Sequence, residues 1–248
     1  MAKNRKKTKK KSSKHERIND ILLGPLERPA LLWLAAHMPQ WVTPDMLTLI
    51  GFLASLMIGA SYWLTNFNKN YLWLANLGFI LNWFGDSLDG NLARYRKIER
   101  PRYGFFIDHV VDSISEVAIF LGLAYSPYVD FTLGTLALIA YLCMSILVYI
   151  TTFVRGVFKI SYGKLGPTEV RLIAIIANIV IFFIDNPQIK LPFNRTMTLY
   201  NLIVACVTIL LFGFFFATAI KEGKRLDRKD RKKWLKKVRK AKESAGQG

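Results

Sequence analysis

Four aspartates lie within 27 consecutive positions of a largely apolar part of the chain, namely Asp86, Asp89, Asp108 and Asp112. On a helix, positions i and i+3 share a face, as do i and i+4, so each pair presents two carboxylates to one side. The nine residues from Tyr95 to Tyr103 form a short connection that can fold one pair against the other. The spacing therefore predicts a single site built from two successive helices.

The chemistry of this site follows from its oxygen ligands. Carboxylates favour a hard cation, Mg²⁺ or Mn²⁺, and four of them suit two ions. Carboxylates inside a membrane are energetically costly and indicate function by default. His109 lies within the motif, but its position turns it about 100° from Asp108 on a helix, which favours packing or an interfacial position over ligation.

Small and basic residues accompany the acids, and two interpretations of them stay open. Gly90, Ala93 and Gly104 lack bulk, which lets a large ligand approach the backbone, and Arg94 can form a fork of hydrogen bonds with phosphate oxygens. The same small residues are typical of close helix packing in a membrane, and Arg94 alone is typical of a positively charged cytoplasmic helix end.

The elements that position these residues are apolar runs of membrane-spanning length. A bilayer core of about 30 Å needs about 20 apolar residues per helix. Six such runs are present: Thr43 to Thr65, Tyr71 to about Leu92, Gly104 to Tyr125, Asp130 to Val154, Pro167 to Ile184 and Met197 to Ile220. The predicted fold is all-α: a polytopic membrane protein with six transmembrane helices, preceded by an interfacial amphipathic helix.

The formal net charge of +18 is concentrated at the two ends. Residues 1–17 carry +8 and residues 219–248 carry +9. Basic residues also crowd the loops at 94–102 and 155–164, so the positive-inside rule places both termini and these loops in the cytoplasm, near an anionic membrane surface. The predicted domains are a disordered basic tail (1–17), an interfacial helix (18–42), a catalytic membrane domain (43–220) and a basic C-terminal helix or tail (221–248).

The segment 86–112 resembles the CDP-alcohol phosphotransferase family, whose signature is D-x-x-D-G-x-x-A-R, a spacer, and G-x-x-x-D-x-x-x-D. All eight residues of the signature are present in order, with a spacer of nine residues: Asp86, Asp89, Gly90, Ala93, Arg94, Gly104, Asp108 and Asp112. The stretch from Pro39 to Thr48 also resembles the entry to the family's first helix. Asp45 stands there in place of the family's usual Asn.

The resemblance implies a role for each motif residue. Asp86, Asp89, Asp108 and Asp112 would bind two Mg²⁺ or Mn²⁺ ions, with Asp112 also acting as the catalytic base, while Gly90, Ala93, Arg94 and Gly104 would line the CDP site. Arg155, Lys164, Glu169 and Arg171 lie downstream and are candidates for the acceptor pocket, or else ordinary positive-inside charges beside a helix start. Relatives are commonly dimers, so a homodimer is a possible assembly.

The implied reaction transfers a substituted phosphate from a CDP-alcohol, in first place CDP-diacylglycerol, to an acceptor alcohol, and it releases CMP. CDP-choline or CDP-ethanolamine type headgroup transfer to diacylglycerol remains an alternative. A membrane prenyltransferase would have more spans and would separate its acidic motifs, and a cation transporter would not explain the glycine and arginine pattern. No nucleic-acid-binding motif accompanies the basic ends, and Cys143 and Cys206 lie in apolar runs as small hydrophobic residues.

Overall fold

The computed structural model describes residues 16–18, 22–155, 157–159, 166–192 and 195–245. Within these ranges it contains seven α-helices: α1 (Gly24–His37), α2 (Pro44–Leu64), α3 (Tyr71–Tyr95), α4 (Pro101–Ala124), α5 (Phe131–Arg155), α6 (Pro167–Ile184) and α7 (Leu199–Ala245). Two short sheets complete the description. Strand β1 (Glu16–Ile18) pairs in parallel with β2 (Val157–Lys159), and β3 (Gln188–Leu191) pairs antiparallel with β4 (Arg195–Thr198).

The predicted apolar runs become helices α2 to α7, and their boundaries agree within about three residues except at the end of α7. Proline begins α2, α4 and α6, where its missing N–H costs nothing. The hydroxyl of Thr43 caps α2 by accepting a hydrogen bond from the backbone N–H of Met46 at 3.2 Å.

Four of the described helices are long and apolar enough to cross a membrane: α2, α5, α6 and the segment Leu199–Arg239 of α7. The predicted number was six. Helices α3 and α4 are of sufficient length, but the aspartates and other polar residues of the motif lower their hydropathy. The structure is therefore a helical protein with four candidate spans.

Helix α7 differs from the prediction of a separate basic helix after the last span. It runs without interruption for 47 residues, from the apolar segment into the basic one. The basic segment is rich in Lys and Arg, which are good helix formers, and it contains no proline. A change from apolar to charged composition therefore does not end the helix.

Helix α1 is shorter than the predicted interfacial helix over residues 18–42. It is attached to α3 and α6 by polar contacts: the Glu27 carboxylate accepts hydrogen bonds from Trp83 Nε1 on α3 and Thr168 Oγ1 on α6, both at 2.9 Å. The linker to α2 is held by Arg96, which donates to the carbonyl oxygens of Met38 at 3.0 Å and Pro39 at 2.7 Å. These contacts fix the start of α2 against the end of α3. Of the predicted tail, residues 1–17, residues 1–15 lie outside the described part of the chain, and Glu16 and Arg17 belong to β1.

Helix α2 packs closely against α3 and α4 because glycines face one another. A Cβ added to Gly85 would overlap the backbone of Gly51, and one added to Gly122 would overlap the backbone of Gly59. Without side chains at these positions the backbones come into direct contact, as is common between membrane helices. The close packing brings α3 and α4, which carry the aspartates, directly against α2.

A network of polar side chains joins four helices in the apolar core, and none of its residues belongs to the aspartate motif. The amide oxygen of Asn178 accepts hydrogen bonds from the hydroxyls of Tyr62 at 3.1 Å and Tyr200 at 2.7 Å, and its amide nitrogen donates to Asn76 at 2.8 Å. All four side chains are buried. Satisfied polar groups of this kind fix the relative positions of α2, α3, α6 and α7.

Candidate active site

Three of the four motif aspartates line one small cavity between α2, α3 and α4. Asp86 enters it from α3, and Asp108 and Asp112 enter it from α4. The other lining residues are Thr48, Gly51, Phe52, Asn82, Val111 and Ser115. The cavity opens into a larger groove of about 2340 Å³, which all four aspartates line. The structure therefore brings the two acidic pairs together, as their spacing predicts.

Asp86 has a cationic partner that is distant in sequence. Arg171 on α6 donates from Nη2 to Asp86 Oδ2 at 2.5 Å, and the two side chains are 15% and 24% exposed. Such limited exposure leaves little water to solvate either charge, so each side chain depends on the other to compensate its charge. Arg171 was a candidate for the acceptor pocket, and the structure places it directly beside the aspartate cavity.

Asp89 is positioned by α2. The hydroxyl of Thr48 donates to Asp89 Oδ2 at 2.6 Å, and the backbone N–H of Gly90 donates to the other carboxylate oxygen. The carboxylate of Asp89 interacts electrostatically with those of Asp86 and Asp108. Asp89 is thus at the edge of the acidic cluster, held in place by a hydroxyl that the motif does not include.

Asp108, His109 and Asp112 form a group whose possible ligand atoms all lie within 4.8 Å of one another. The imidazole of His109 also packs between two rings, with centroid distances of 4.0 Å to Phe105 and 4.6 Å to Tyr149. Its Nδ1 lies 3.6 Å from Asp108 Oδ2. The ring contacts agree with the packing role predicted for His109. The distances also allow His109 to act as a metal ligand, although its angle of about 100° from Asp108 on the helix predicted otherwise.

The residues predicted to line the CDP site all border the large groove. A Cβ added to Gly104 would meet nothing within 4 Å, so this glycine faces open space and is not required for helix packing. A Cβ added to Gly90 would approach the guanidinium of Arg94 at 3.3 Å. Arg94 Nη2 donates to Asn91 Oδ1 at 3.0 Å. Ala93 and Arg94 follow Gly90 along the same helix, α3.

The other acceptor-pocket candidates lie in different surroundings. Glu169 is buried and accepts hydrogen bonds from the backbone N–H groups of Leu23 at 2.9 Å and Gly166 at 2.8 Å, which caps α6. Arg155 pairs with Glu222 of α7 at 3.1 Å. Neither borders the groove in the described structure. Lys164 lies outside the described residues.

Some residues near the site were not singled out from the sequence. Thr48 gives no signal in an apolar helix. Glu116 could have been found from the sequence, because it continues the i, i+4 spacing of Asp108 and Asp112 along α4. Arg100 at the start of α4 donates a hydrogen bond to Asp45, and this bond raises the pKa of the Arg100 guanidinium above its ordinary value. The unusual Asp45 is therefore paired with the loop between the two acidic helices.

The four motif aspartates, grouped between successive helices of a polytopic bundle, are the arrangement that the signature implies. The family description CDP-alcohol phosphatidyltransferase matches residues 41–211, and the chain belongs to that family. This confirms the resemblance stated from the motif. The apolar helices and the family are consistent with an integral membrane protein.

Individual relatives fall into two groups. The chain is 38% identical over 84 residues to a phosphatidylinositol phosphate synthase of Cutibacterium acnes (34% of this chain, 38% of the relative) and 34% identical over 98 residues to an archaetidylinositol phosphate synthase of Pyrococcus horikoshii (40% and 49%). It is also 28% identical over 170 residues to cholinephosphotransferase 1 of Gallus gallus (61% and 47%). Each match spans less than half the length of the curated relative.

A solved structure shares the fold. The crystal structure of Mycobacterium tuberculosis phosphatidylinositol phosphate synthase, with CDP-DAG bound, aligns with a TM-score of 0.50 and 20% identity. The alignment covers 79% of this chain and 91% of that one.

Proposed function

We propose that this protein transfers a substituted phosphate from a CDP-alcohol, CDP-diacylglycerol in the first place, to an acceptor alcohol, with release of CMP. The observation that carries the proposal is the convergence of Asp86, Asp108 and Asp112 on one cavity that opens into a groove. Two of the relatives are named as inositol phosphate lipid synthases, and the structural neighbour holds CDP-DAG. These names support a lipid-linked donor.

The four aspartates fit a pair of divalent ions, Mg²⁺ or Mn²⁺. Their carboxylate oxygens are the ligands that such ions prefer. The carboxylates of Asp86, Asp89 and Asp108 interact electrostatically at one site, where their negative charges repel unless cations compensate them. When bound, such ions would neutralise the pyrophosphate and stabilise the CMP leaving group. Asp86, Asp89, Asp108 and Asp112 would hold them.

The protein's own groups then position the substrates and move one proton. Arg94, Gly90, Ala93 and Gly104 line the groove where the nucleotide would lie, with Arg94 as the donor to phosphate oxygens. Asp112 accepts the proton of the acceptor hydroxyl as its oxygen bonds to phosphorus. The bond from phosphorus to the CMP oxygen breaks, and CMP leaves with that electron pair.

The proposed membrane arrangement has six spans, with α3 and α4 crossing in addition to the four apolar helices. Their motif ends, both termini and the loops at 94–102 and 155–164 would face the cytoplasm. The groove would then be reached by lipid from the bilayer and by a polar acceptor from the cytoplasm. An anionic membrane surface would be the partner of the basic termini, and a homodimer is a proposed assembly.

The test is CMP release by the purified protein with Mg²⁺, CDP-diacylglycerol and a panel of alcohols. We expect single Asp→Asn changes at 86, 89, 108 and 112 to lower the rate by roughly 10²-fold or more, the scale on which catalytic groups act. Asp185→Asn is the matched control, because Asp185 is an exposed partner of Lys69 and does not border the groove. Full activity in the four variants, with normal membrane insertion, would refute the proposal.

Headgroup transfer from a CDP-amino alcohol to diacylglycerol is the second candidate. The cholinephosphotransferase match covers 61% of this chain, more than the matches to the two inositol phosphate lipid synthases, which cover 34% and 40%. The same CMP assay with CDP-choline or CDP-ethanolamine and diacylglycerol separates the two: CMP from these pairs, and none from CDP-diacylglycerol, would favour this candidate.

A further inference from the structure

A fifth carboxylate, Glu116, lies one helical turn beyond Asp112 on the same face of α4. Ser145 of α5 donates from Oγ to Glu116 Oε1 at 2.9 Å. The second oxygen, Oε2, is buried and has no hydrogen-bond partner among the described residues. The side chain borders the same groove as the aspartates. A side chain that borders the groove therefore carries a buried hydrogen-bond acceptor with no partner among the described residues.

Polar side chains of neighbouring helices border the groove near Glu116. Tyr141 and Ser145 of α5 and Arg171 of α6 line the groove here. Tyr141 is close enough to Glu116, Arg171 and Asp112 to interact electrostatically with each. A buried polar atom without a partner costs about 1–3 kcal/mol, and a carboxylate within a membrane helix marks function by default. A ligand that supplies a donor would remove this cost.

Resting on the proposed phosphotransferase function, we propose that Glu116 is a specificity-determining residue for the acceptor: Oε2 accepts a hydrogen bond from a second hydroxyl of the alcohol, so the site selects polyols. The reacting hydroxyl lies at Asp112 and the recognised hydroxyl at Glu116. One turn of helix, about 6 Å along the axis, separates these residues. Hydroxyls on non-adjacent carbons of a polyol match such a separation, whereas a simple alcohol has no second hydroxyl.

The charges near Glu116 favour a neutral hydroxyl over an ammonium group. An ammonium would also donate to Glu116, but it would lie one helical turn from Asp112 and the proposed divalent ions, where like charges repel. A quaternary ammonium has no N–H to donate. A hydroxyl satisfies Oε2 without either disadvantage. Ser145, whose proton is donated to Glu116, can accept from a further hydroxyl, and the hydroxyl of Tyr141 can donate or accept.

The test compares acceptors in wild type, Glu116→Met and Glu116→Asp, with CDP-diacylglycerol as donor and CMP as readout. The probes are glycerol 3-phosphate, myo-inositol 1-phosphate, their singly deoxygenated analogues, serine and choline. Met fills a similar volume without an acceptor. We expect kcat/KM for the polyol to fall roughly 10- to 100-fold in Glu116→Met, the range for a hydrogen bond to a charged group. The KM for CDP-diacylglycerol should change less than about twofold.

The deoxygenated analogues separate recognition from a structural role. In wild type, removing the recognised hydroxyl from the acceptor should lower kcat/KM by the same factor as the Glu116→Met change does with the intact acceptor. In Glu116→Met, kcat/KM should be no lower for the deoxygenated analogue than for the intact acceptor. Glu116→Asp keeps a carboxylate on a shorter side chain, so its kcat/KM for the polyol should lie between those of wild type and Glu116→Met. This variant carries the test if Glu116→Met does not fold. Asp185→Asn again serves as control.

Several results would overturn the inference. Equal losses for every acceptor, strictly additive losses with the analogue, or unchanged kinetics in both variants would each exclude a specificity role. A wild-type protein that uses only serine or choline would refute polyol selection while leaving the phosphotransferase function intact. Absence of CMP with every donor and acceptor would refute the proposed function and this inference with it.

Discussion

Replacing Arg171 by Gln removes the guanidinium that pairs with Asp86 at 2.5 Å. Removing one partner of a buried ion pair leaves an uncompensated charge, which costs about 3–5 kcal/mol. The two side chains are 15% and 24% exposed, so some water remains and the lower end of that range applies. For a chain of this size, 1 kcal/mol corresponds to roughly 2–4 °C in Tm. We therefore expect Tm to fall by about 6–12 °C when divalent ions are chelated.

Adding Mg²⁺ should reverse much of this loss. Arg171 and divalent ions supply positive charge to the same acidic cluster, so the variant depends more on the ions than wild type does. The assay is thermal unfolding in detergent, with EDTA and with increasing Mg²⁺. We expect a larger Mg²⁺-dependent rise in Tm for Arg171→Gln than for wild type.

The matched control is Lys69→Gln, which breaks the exposed pair with Asp185, 48% and 72% accessible. Such a pair is worth about 0–1 kcal/mol, so its Tm should change little and its response to Mg²⁺ should equal that of wild type. The reasoning is refuted if Arg171→Gln unfolds with wild type in EDTA, or if Mg²⁺ raises both melting temperatures equally.

Further changes test the positioning of the aspartates. Thr48→Val removes the hydroxyl that holds Asp89 at 2.6 Å, and it should raise the Mg²⁺ concentration for half-maximal CMP release roughly 10-fold; an unchanged Mg²⁺ requirement would contradict this. Gly85→Ala places a methyl group against the backbone of Gly51, and it should lower the yield of folded protein in size-exclusion chromatography. Gly104→Ala meets open space and should fold normally, so any loss of CMP release by this variant reports on the groove; a normal Gly85→Ala or a misfolded Gly104→Ala would contradict the packing described.

The local features of the fold were predictable because each depends on neighbouring residues. Hydropathy located α2 to α6, and Pro167 marked the start of α6 correctly. The convergence of the aspartates followed from their spacing and from a short connection. Helix α7 continues past Ile220, where the apolar run ends, because nothing in the backbone requires a helix to stop where its composition changes.

The long-range pairings were not predictable from a single sequence. The contact of Arg171 with Asp86 joins positions 85 apart, and that of Thr48 with Asp89 joins positions 41 apart. Such partners depend on how α2 and α6 pack against α3. The hydrophobic periodicity of the sequence does not indicate which helices are neighbours. Glu169 had two interpretations, an acceptor-pocket contact or a charge beside a helix start. It accepts backbone hydrogen bonds at the start of α6, as the second interpretation expects.

The uninterrupted α7 has a mechanical consequence. Its 47 residues extend about 70 Å, and the apolar part up to Ile220 accounts for about 33 Å of this, close to the thickness of a bilayer core. The basic remainder is a stiff arm of about 37 Å, and a tilt of only 5° about its base would displace the tip by roughly 3 Å. Because α7 packs against α5, which carries Ser145, and itself lines the groove, the basic arm and part of the groove wall belong to one continuous helix.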